Sequence, residues 1–281
     1  MYKLSVKNLC KQYKNFAVKN ISFDVPEGTV VGLIGENGAG KSTIIKSVLG
    51  AIHPDSGQIL FDGKPLCQLS VAEKQKTAFV LDDLGLPMEL NLHMLNKVLR
   101  SVFIKWDSRQ FETIVNYFKL PSDKLLKDFS KGMKMQAGIA VALSYDSELL
   151  ILDEPTSGLD PVVREEIIDM LYDYTQQGNR SVVISSHITT DLEKLCDYIV
   201  YVHEGEVVLS AEKDELLSKY AVYSADKTQL EELDKKAILK VLPRQFGVDV
   251  LAARQHMPKN FEYRPLCLDD IMLFYSKGEN L

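Results

Sequence analysis

A glycine-rich run that ends in lysine and serine is the clearest chemical feature of the sequence. Residues 35–42 read Gly-Glu-Asn-Gly-Ala-Gly-Lys-Ser and fit the pattern G-x-x-x-x-G-K-S. In such a run backbone N–H groups turn inward around phosphate oxygens, the lysine reaches the β- and γ-phosphates, and the serine hydroxyl serves Mg²⁺. The residues predicted to bind a nucleoside triphosphate here are Asn37, Gly38, Ala39, Gly40, Lys41, Ser42 and Thr43.

Two carboxylates end an apolar run in the second half of the chain. Leu149–Leu152 shows no polar alternation, which is typical of a strand buried on both faces, and Asp153 and Glu154 follow it. Asp153 is predicted to hold Mg²⁺ through water, opposite Ser42, and Glu154 to orient or deprotonate the attacking water. An isolated Asp-Glu pair would more simply cap a strand, but the glycine-rich run favours the catalytic reading.

A histidine stands at the end of a third apolar run. His187 follows the β-branched residues 182–184 and two serines. Ligands of an open α/β sheet bind at the carboxyl ends of its strands, so His187 is placed where a phosphate would lie. Taken alone it would more often be structural; after the two carboxylates, a contact with the γ-phosphate is favoured.

The elements that must position these residues alternate between strand and helix. A strand at residues 30–34 leads into the glycine-rich run, and an amphipathic segment follows it. Further predicted elements are a strand at 58–61, helices at 90–104, 108–118 and from 130 onward, a helix at 162–176, a strand at 181–185 and a hairpin of 198–203 with 207–209. The closing residues 268–275 show an apolar face at helical spacing.

A short segment before the carboxylates identifies a family. Residues 129–133, Phe-Ser-Lys-Gly-Met, form a degenerate signature segment about twenty residues before Asp153. With the P-loop (residues 35–43), the two carboxylates, Ser157–Asp160 and His187 in this order, residues 1 to about 210 resemble the ATP-binding subunit of an ATP-binding cassette (ABC) transporter. The resemblance to bacterial exporters is weaker.

The resemblance implies a fold class and domain limits. We expect an α/β fold with a P-loop NTPase core, a mostly parallel sheet, an antiparallel β subdomain, an inserted helical subdomain and a small C-terminal α+β appendage. The ATPase domain would cover residues 1–211, with the helical subdomain at about 84–147. The C-terminal region, residues 212–281, has interspersed charges and reads as an accessory region, with regulation or dimer contact as the alternative.

The resemblance also assigns roles that the residues alone leave open. Tyr13 stands where the family places an aromatic that stacks on adenine, with Phe16 as the competing candidate. Ser130 and Gly132 would serve the ATP held by a second subunit, and Asp160 would take part in communication across the dimer. A homodimer, or a heterodimer with a related ATPase, would thus close over two ATP molecules.

Two departures from the family pattern stand out. Asp82 occupies the position where the family usually has a glutamine that touches Mg²⁺, and the signature segment has Lys131 and Met133 in place of glycine and glutamine. A carboxylate is a good Mg²⁺ ligand, so Asp82 is predicted to keep the metal-sensing role together with Ser42 and Asp153. Lys131 adds positive charge near an anion.

Composition limits the classes of function that the sequence supports. The 281 residues carry a net charge of −6, which gives no support for nucleic-acid binding, and contain no run of about 18 apolar residues. The first six residues alternate like a strand rather than a signal peptide, and four scattered cysteines suit reduced thiols.

We therefore expect an ATPase that uses ATP and Mg²⁺ and drives transport, in the direction of export, through separate permease subunits. It would be peripheral on the cytoplasmic face of the membrane. The alternatives are an ABC ATPase acting on ribosomes or DNA, and a nucleotide switch with little hydrolysis.

Overall fold

Three sheets form the framework of the computed structural model, which describes residues 1–82, 85–226, 229–230, 235–257 and 262–279. The strands are β1 (Tyr2–Gln12), β2 (Ala17–Pro26), β3 (Val30–Ile34), β4 (Ser56–Phe61), β5 (Lys64–Pro65), β6 (Thr77–Val80), β7 (Leu149–Asp153), β8 (Ser181–Ser186), β9 (Tyr198–His203), β10 (Glu206–Glu212), β11 (Tyr220–Ala225), β12 (Ile238–Pro243), β13 (Val248–Ala253) and β14 (Tyr263–Pro265). The helices are α1 (Lys41–Val48), α2 (Val71–Lys74), α3 (Leu92–Val102), α4 (Ser108–Tyr117), α5 (Lys131–Ala142), α6 (Pro161–Thr175), α7 (Thr189–Leu195), α8 (Lys213–Lys219) and α9 (Leu268–Lys277).

The central sheet has six strands in the order β10-β9-β3-β8-β7-β6. All neighbours are parallel except β10, which pairs antiparallel with β9 in the predicted hairpin. Every residue of β3, β7 and β8 is buried, as expected for strands covered on both faces. The predicted buried strands are therefore confirmed, and they lie side by side.

Different layers cover the two faces of the central sheet. On one face, the antiparallel sheet β2-β1-β4-β5 and helix α1 pack against the sheet in one apolar cluster. On the other face, helices from residues 92–142 and α6 and α7 share a larger cluster with Leu150 and Leu152. The antiparallel β subdomain and the inserted helices are confirmed as parts of the fold.

Polar residues start the helices of the inserted segment. The side chains of Asn91, Asp107 and Ser130 accept hydrogen bonds from the first-turn N–H groups of α3, α4 and α5, which would otherwise lack partners. The predicted helices at 90–104 and 108–118 are confirmed with slightly shorter limits. The domain boundaries at 84–147 and 212 stay predictions.

The C-terminal region is an antiparallel sheet and a helix that returns to the core. The sheet order is β12-β13-β11-β14, and α9 carries Leu268, Ile271 and Phe274 into the larger apolar cluster beside α7 and β9. These three side chains are at most 1% exposed. Burial of each such side chain contributes about 1.5–3 kcal/mol, so α9 is anchored firmly to the ATPase core.

Among the residues that the structure describes, no helix has the length and the apolar content that crossing a membrane requires.

Candidate active site

Three neighbouring strands deliver the predicted catalytic segments to one edge of the central sheet. The P-loop leaves the end of β3, Asp153 and Glu154 stand at the end of β7, and His187 follows β8 between them. The register places Ile34 beside Ser186 and Asp153 beside Ser185. Parallel strands end at the same edge, and this is why residues more than a hundred positions apart meet there.

Gly40 allows the P-loop to turn into α1. Its φ of 111° lies in a region that L side chains rarely adopt, and a Cβ here would lie 3.1 Å from Cζ of Phe16. Directly after this turn, the buried Lys41 donates from Nζ to the backbone carbonyl of Gly35 at 2.7 Å and of Glu36 at 3.2 Å. The ammonium is thus folded back over the loop.

Glu154 lies between the P-loop lysine and the histidine. Its Oε1 is 3.1 Å from Lys41 Nζ, and its Oε2 is 2.7 Å from His187 Nδ1. The pair with Lys41 has ion-pair distance but not hydrogen-bond geometry, and the buried Oε1 accepts no hydrogen bond. Glu154 also has a positive φ of 52°, a strained backbone for a residue with a Cβ.

Asp153 is fixed by two hydroxyl groups. Its Oδ1 accepts hydrogen bonds from Ser42 Oγ at 3.1 Å and from Ser185 Oγ at 2.7 Å. Ser185 Oγ also accepts a hydrogen bond from the Glu154 backbone N–H at 3.0 Å. Ser185 therefore holds both carboxylate residues, a role that the sequence analysis missed; its only signal was a polar residue at the end of an apolar strand.

A cavity of about 570 Å³ opens beside the P-loop. Phe16 lines it together with Asn37, Gly38, Ala39 and the turn of the β9–β10 hairpin. Tyr13 is not one of the described residues that line this cavity, and Tyr13 is 38% exposed. The geometry thus favours the competing candidate, Phe16, as the aromatic next to a bound base.

The hairpin turn after β9 supports the P-loop from behind. The Gly205 N–H donates to the Ala39 carbonyl at 3.1 Å, and the Gly205 carbonyl accepts from the Lys19 N–H at 2.7 Å. A Cβ on Gly205 would come within 1.8 Å of the Ala17 carbonyl oxygen, so only glycine fits. The sequence analysis identified the turn but not this contact, because it joins segments far apart in the chain.

The signature segment lies at the start of α5. Ser130 is the exposed N-cap residue, with its Oγ accepting from the Met133 N–H at 3.2 Å, and Gly132 faces Leu159 and Val163. Asp160 caps α6 by accepting from two N–H groups of its first turn. In the single chain, Ser130 and Asp160 therefore act as helix caps.

Asp82 is not paired with the Ser42–Asp153 cluster. Its carboxylate lies 3.1 Å from Lys131 Nζ, the lysine of the signature segment. The strand before Asp82, β6, neighbours β7, so Asp82 leaves the same edge of the sheet as Asp153. The metal role of Asp82 stays a prediction.

Comparison with known proteins shows which family the chain belongs to. Residues 18–157 match the family described as ABC transporter. The lantibiotic transport ATP-binding protein SrtF of Streptococcus pyogenes is 35% identical over 213 residues, which cover 75% of this chain and 91% of SrtF. The chain belongs to the ATP-binding subunits of ABC transporters. The bacitracin transport ATP-binding protein BcrA of Enterococcus faecalis is 32% identical over 250 residues, covering 87% of this ABC subunit and 79% of BcrA.

Solved structures show the same fold. The ATP-binding subunit of an ABC transporter superposes with a TM-score of 0.69 at 29% identity, covering 76% of this ABC subunit and 92% of the other chain. The predicted family, fold and ATPase function are thereby confirmed. ABC subunits of this kind bind and hydrolyse ATP and work with permease subunits, while action on ribosomes or DNA is not favoured.

Proposed function

We propose that Glu154 positions and deprotonates the water that attacks ATP in this subunit, with His187 as its partner at the γ-phosphate. The observation that carries this proposal is the position of the Glu154 carboxylate, with one oxygen 3.1 Å from Lys41 Nζ and the other 2.7 Å from His187 Nδ1. Lys41 belongs to the phosphate site, so the carboxylate already lies beside the place where the reacting phosphate binds.

The free chain supplies a reason why Glu154 would act only once ATP is bound. Lys41 is 5% exposed and its charge is met by Glu154 and by loop carbonyls. The phosphates of ATP carry more negative charge than one carboxylate, so they take over Lys41 and leave Glu154 free to accept a proton. His187 keeps hold of the other carboxylate oxygen and so keeps its direction.

Ser42 and Asp153 fit a magnesium ion. They place a hydroxyl and a carboxylate oxygen 3.1 Å apart, and oxygen ligands of this kind are the ones that Mg²⁺ prefers. The ion would neutralise negative charge on the transferred phosphoryl group. Ser185 keeps Asp153 in place for this role through its 2.7 Å hydrogen bond.

Two copies would close over two ATP molecules, as the signature segment implies. Ser130 is exposed at the start of α5, where the helix adds a partial positive charge. In a two-fold pair the same surface serves twice, so the Ser130 and Gly132 of each copy would meet the ATP held by Lys41 of the other. A related ATPase could take the place of the second copy.

Replacement of Glu154 by glutamine tests the catalytic proposal. Glu154→Gln keeps the shape but cannot accept the proton, so ATP turnover should fall by roughly 100-fold or more while ATP-dependent dimerisation increases. Turnover and sedimentation with and without ATP are the measurements. Glu165→Gln is the control, since within the described residues Glu165 pairs with Lys194 at 2.7 Å on the surface. A monomeric Glu154→Gln protein in ATP, or unchanged turnover, would contradict the proposal.

The transported substance is proposed to be an antibiotic peptide, moved outward. SrtF is named for lantibiotic transport and BcrA for bacitracin transport, and the match to BcrA at 87% of this chain extends into the C-terminal region. The subunit would lie on the cytoplasmic face of the membrane, held there by permease subunits.

A transport assay tests this second part. The complex, purified from detergent-solubilised membranes through a tag on this chain, is placed in liposomes with the ATPase facing outward. External ATP should then drive a bacitracin-type peptide into the lumen, which corresponds to export from a cell. Absence of a membrane partner, or loss of peptide from the lumen, would contradict the direction and the partner.

A further inference from the structure

A buried carboxylate in α7 joins the segments that follow the two proposed catalytic residues. Asp191 lies in the first turn of α7, four residues after His187, and is 3% exposed. Its Oδ2 accepts a hydrogen bond at 2.6 Å from Oγ1 of Thr156, a buried residue two positions after Glu154. The carboxylate therefore links the loop that leaves β7 to the helix that follows β8.

A third segment completes this junction. Asp191 Oδ1 accepts a hydrogen bond from Arg164 Nε at 2.6 Å, and Arg164 Nη2 donates to Thr190 Oγ1 at 2.6 Å. Arg164 lies near the start of α6, the helix that follows the loop after Glu154. Both oxygens of Asp191 are thus satisfied, as a buried charge requires, and one carboxylate holds three segments together.

The loop held in this way carries the strained backbone of Glu154. A residue with a Cβ keeps a φ of 52° only where its surroundings determine that conformation. On one side, the Glu154 N–H donates to Ser185 Oγ at 3.0 Å. On the other, the Glu154 carbonyl accepts from the Ser157 N–H at 3.2 Å, so Thr156 lies inside a turn that begins at Glu154. The hydrogen bond from Thr156 to Asp191 fixes this turn to α7.

The other end of the connection reaches the histidine. The Ile188 N–H donates to Ser186 Oγ at 2.9 Å, which closes a tight turn around His187 before α7 begins. A movement of α7 relative to the loop after β7 would therefore change the distance between His187 Nδ1 and Glu154 Oε2, which is 2.7 Å. Asp191 opposes this movement.

We propose that Asp191 is a positioning residue for ATP hydrolysis, which acts through Thr156 to hold Glu154 at hydrogen-bond distance from His187. The inference rests on the proposed role of Glu154 as the base. Asp191 supplies neither the proton acceptor nor a phosphate ligand, but sets the distance between the groups that act. Small displacements of such groups reduce turnover strongly, because reacting atoms must be held close to their attack geometry. ATP binding depends on the P-loop and should not depend on Asp191.

Thr156→Val is the decisive variant, because it removes one hydroxyl and keeps the branched shape. Asp191→Asn would also leave the Arg164 guanidinium without its carboxylate and so disturb the fold more. In Thr156→Val, turnover at saturating ATP should fall about tenfold. Thr156→Ser keeps the hydroxyl and should retain turnover within about twofold. A Thr156→Ser protein as slow as Thr156→Val would contradict the role of the hydrogen bond to Asp191.

Ser147→Ala is the matched control for the loss of a buried hydroxyl. Ser147 is buried and its Oγ lies 3.0 Å from the Tyr174 hydroxyl, but it precedes β7, at the opposite end of the strand from Thr156. Thermal unfolding shows how far each variant is destabilised. At a temperature well below both transitions, turnover should fall in Thr156→Val and not in Ser147→Ala. Equal losses of turnover would overturn the positioning role.

The Glu154→Gln background separates this inference from the proposed function. If Glu154→Gln alone leaves turnover unchanged, the proposed base is wrong and the positioning role falls with it. If Glu154→Gln lowers turnover, adding Thr156→Val should lower the residual turnover by less than about twofold, because the positioned group is already gone.

Calorimetric titration in the same background should give dissociation constants for ATP that agree within about twofold with and without Thr156→Val, since the P-loop is intact. Three results overturn the inference while leaving the proposed base in place. They are unchanged turnover in Thr156→Val, a further loss of about tenfold when it is added to Glu154→Gln, and a fall in ATP affinity as large as the fall in turnover.

Discussion

The edge of the central sheet and the C-terminal region use charged residues in opposite ways. At the sheet edge Glu154 contacts both Lys41 and His187, and in the proposed mechanism bound ATP would replace Glu154 at Lys41. In the C-terminal region the guanidinium of Arg264 binds both carboxylate oxygens of Asp270, which is 5% exposed. This ion pair serves the fold and is not expected to be replaced by a ligand. One region keeps its charges available for chemistry, and the other uses them to fix structure.

The two regions are joined by α7 and α9. Thr189, two residues after His187, donates from Oγ1 to Asp269, and the Leu268 N–H donates to Glu193 Oε1 at 2.7 Å. The helix that follows His187, α7, is thus held by α9. If the two regions differ in this way, substitutions at the sheet edge should reduce turnover, and substitutions around α9 should reduce mainly stability.

The largest effect is expected from Ser185→Ala. Loss of its hydroxyl frees Asp153 and the Glu154 N–H, and hydrogen bonds to charged groups are worth about 1.5–3 kcal/mol, so turnover should fall roughly 10- to 100-fold. Ser181→Ala, at the other end of β8, is the matched control: Ser181 binds the Gly28 N–H, far from Asp153. Equal losses of turnover in the two variants would show that the loss does not come from the contacts of Ser185 at the sheet edge.

The next largest effect is expected at Phe16, the aromatic residue proposed to stack on the base of ATP. Stacking of a base on an aromatic ring contributes about 1–3 kcal/mol, so Phe16→Ala should weaken ATP binding by roughly 5- to 100-fold. Tyr13→Ala should change binding much less, since Phe16 and not Tyr13 lines the cavity beside the P-loop. Calorimetric titration measures ATP binding, and a Glu154→Gln background prevents hydrolysis during the titration. The reverse order would restore the assignment made from the sequence.

The Arg264–Asp270 pair predicts a pH dependence of stability. Burial tends to raise the pKa of Asp270, but hydrogen bonds from Arg264 and Cys267 outweigh it and hold this pKa below its ordinary value. A lowered pKa stabilises the fold at neutral pH, and this contribution disappears as the pH falls through the folded-state pKa. Asp270→Asn should therefore cost about 1 kcal/mol of unfolding free energy at pH 7, with Arg264 half exposed, and progressively less below pH about 4. Thermal unfolding measures it, and turnover at pH 7 should stay within twofold.

The smallest effect tests the link between the regions. Thr189→Val and Asp269→Asn, alone and together, form a double-mutant cycle in which the coupling should be about 0.5–1 kcal/mol of unfolding free energy. Turnover should fall by no more than about threefold, through the position of His187. Zero coupling would show that the Thr189–Asp269 hydrogen bond does not contribute to the link between α7 and α9, and a large loss of turnover would give the C-terminal region a direct part in activity.

Motifs read from the sequence predicted which residues the structure brings together at one sheet edge, because each motif is local. Residues 35–43 and the pair Asp153–Glu154 sit at strand ends, and apolar runs mark those strands without reference to the rest of the chain. Contacts between distant segments were not predictable in this way. Ser185 holding Asp153, Gly205 holding Ala39, and Lys131 pairing with Asp82 each depend on strand order and helix placement, which no local pattern contains.

The same limit applies to the C-terminal region. The apolar spacing of residues 268–275 predicted a helix that docks on something, and α9 confirms the helix. What it docks on follows from the apolar cluster that Phe274 shares with Tyr201 and Leu192, residues that lie 73 and 82 positions earlier. Charge patterns in this region described a solvated surface and gave no sign of the buried Asp270.

The backbone at Glu154 has a consequence for the evolution of the enzyme. A glycine there would adopt φ 52° without strain and would remove a buried carboxylate oxygen that accepts no hydrogen bond. If Glu154 is the proposed base, a Glu154→Gly protein would lose ATP turnover, and its melting temperature would report the balance between the relieved backbone and the lost carboxylate partner of buried Lys41. Under the proposed function, activity and not backbone preference would keep a glutamate at this left-handed position.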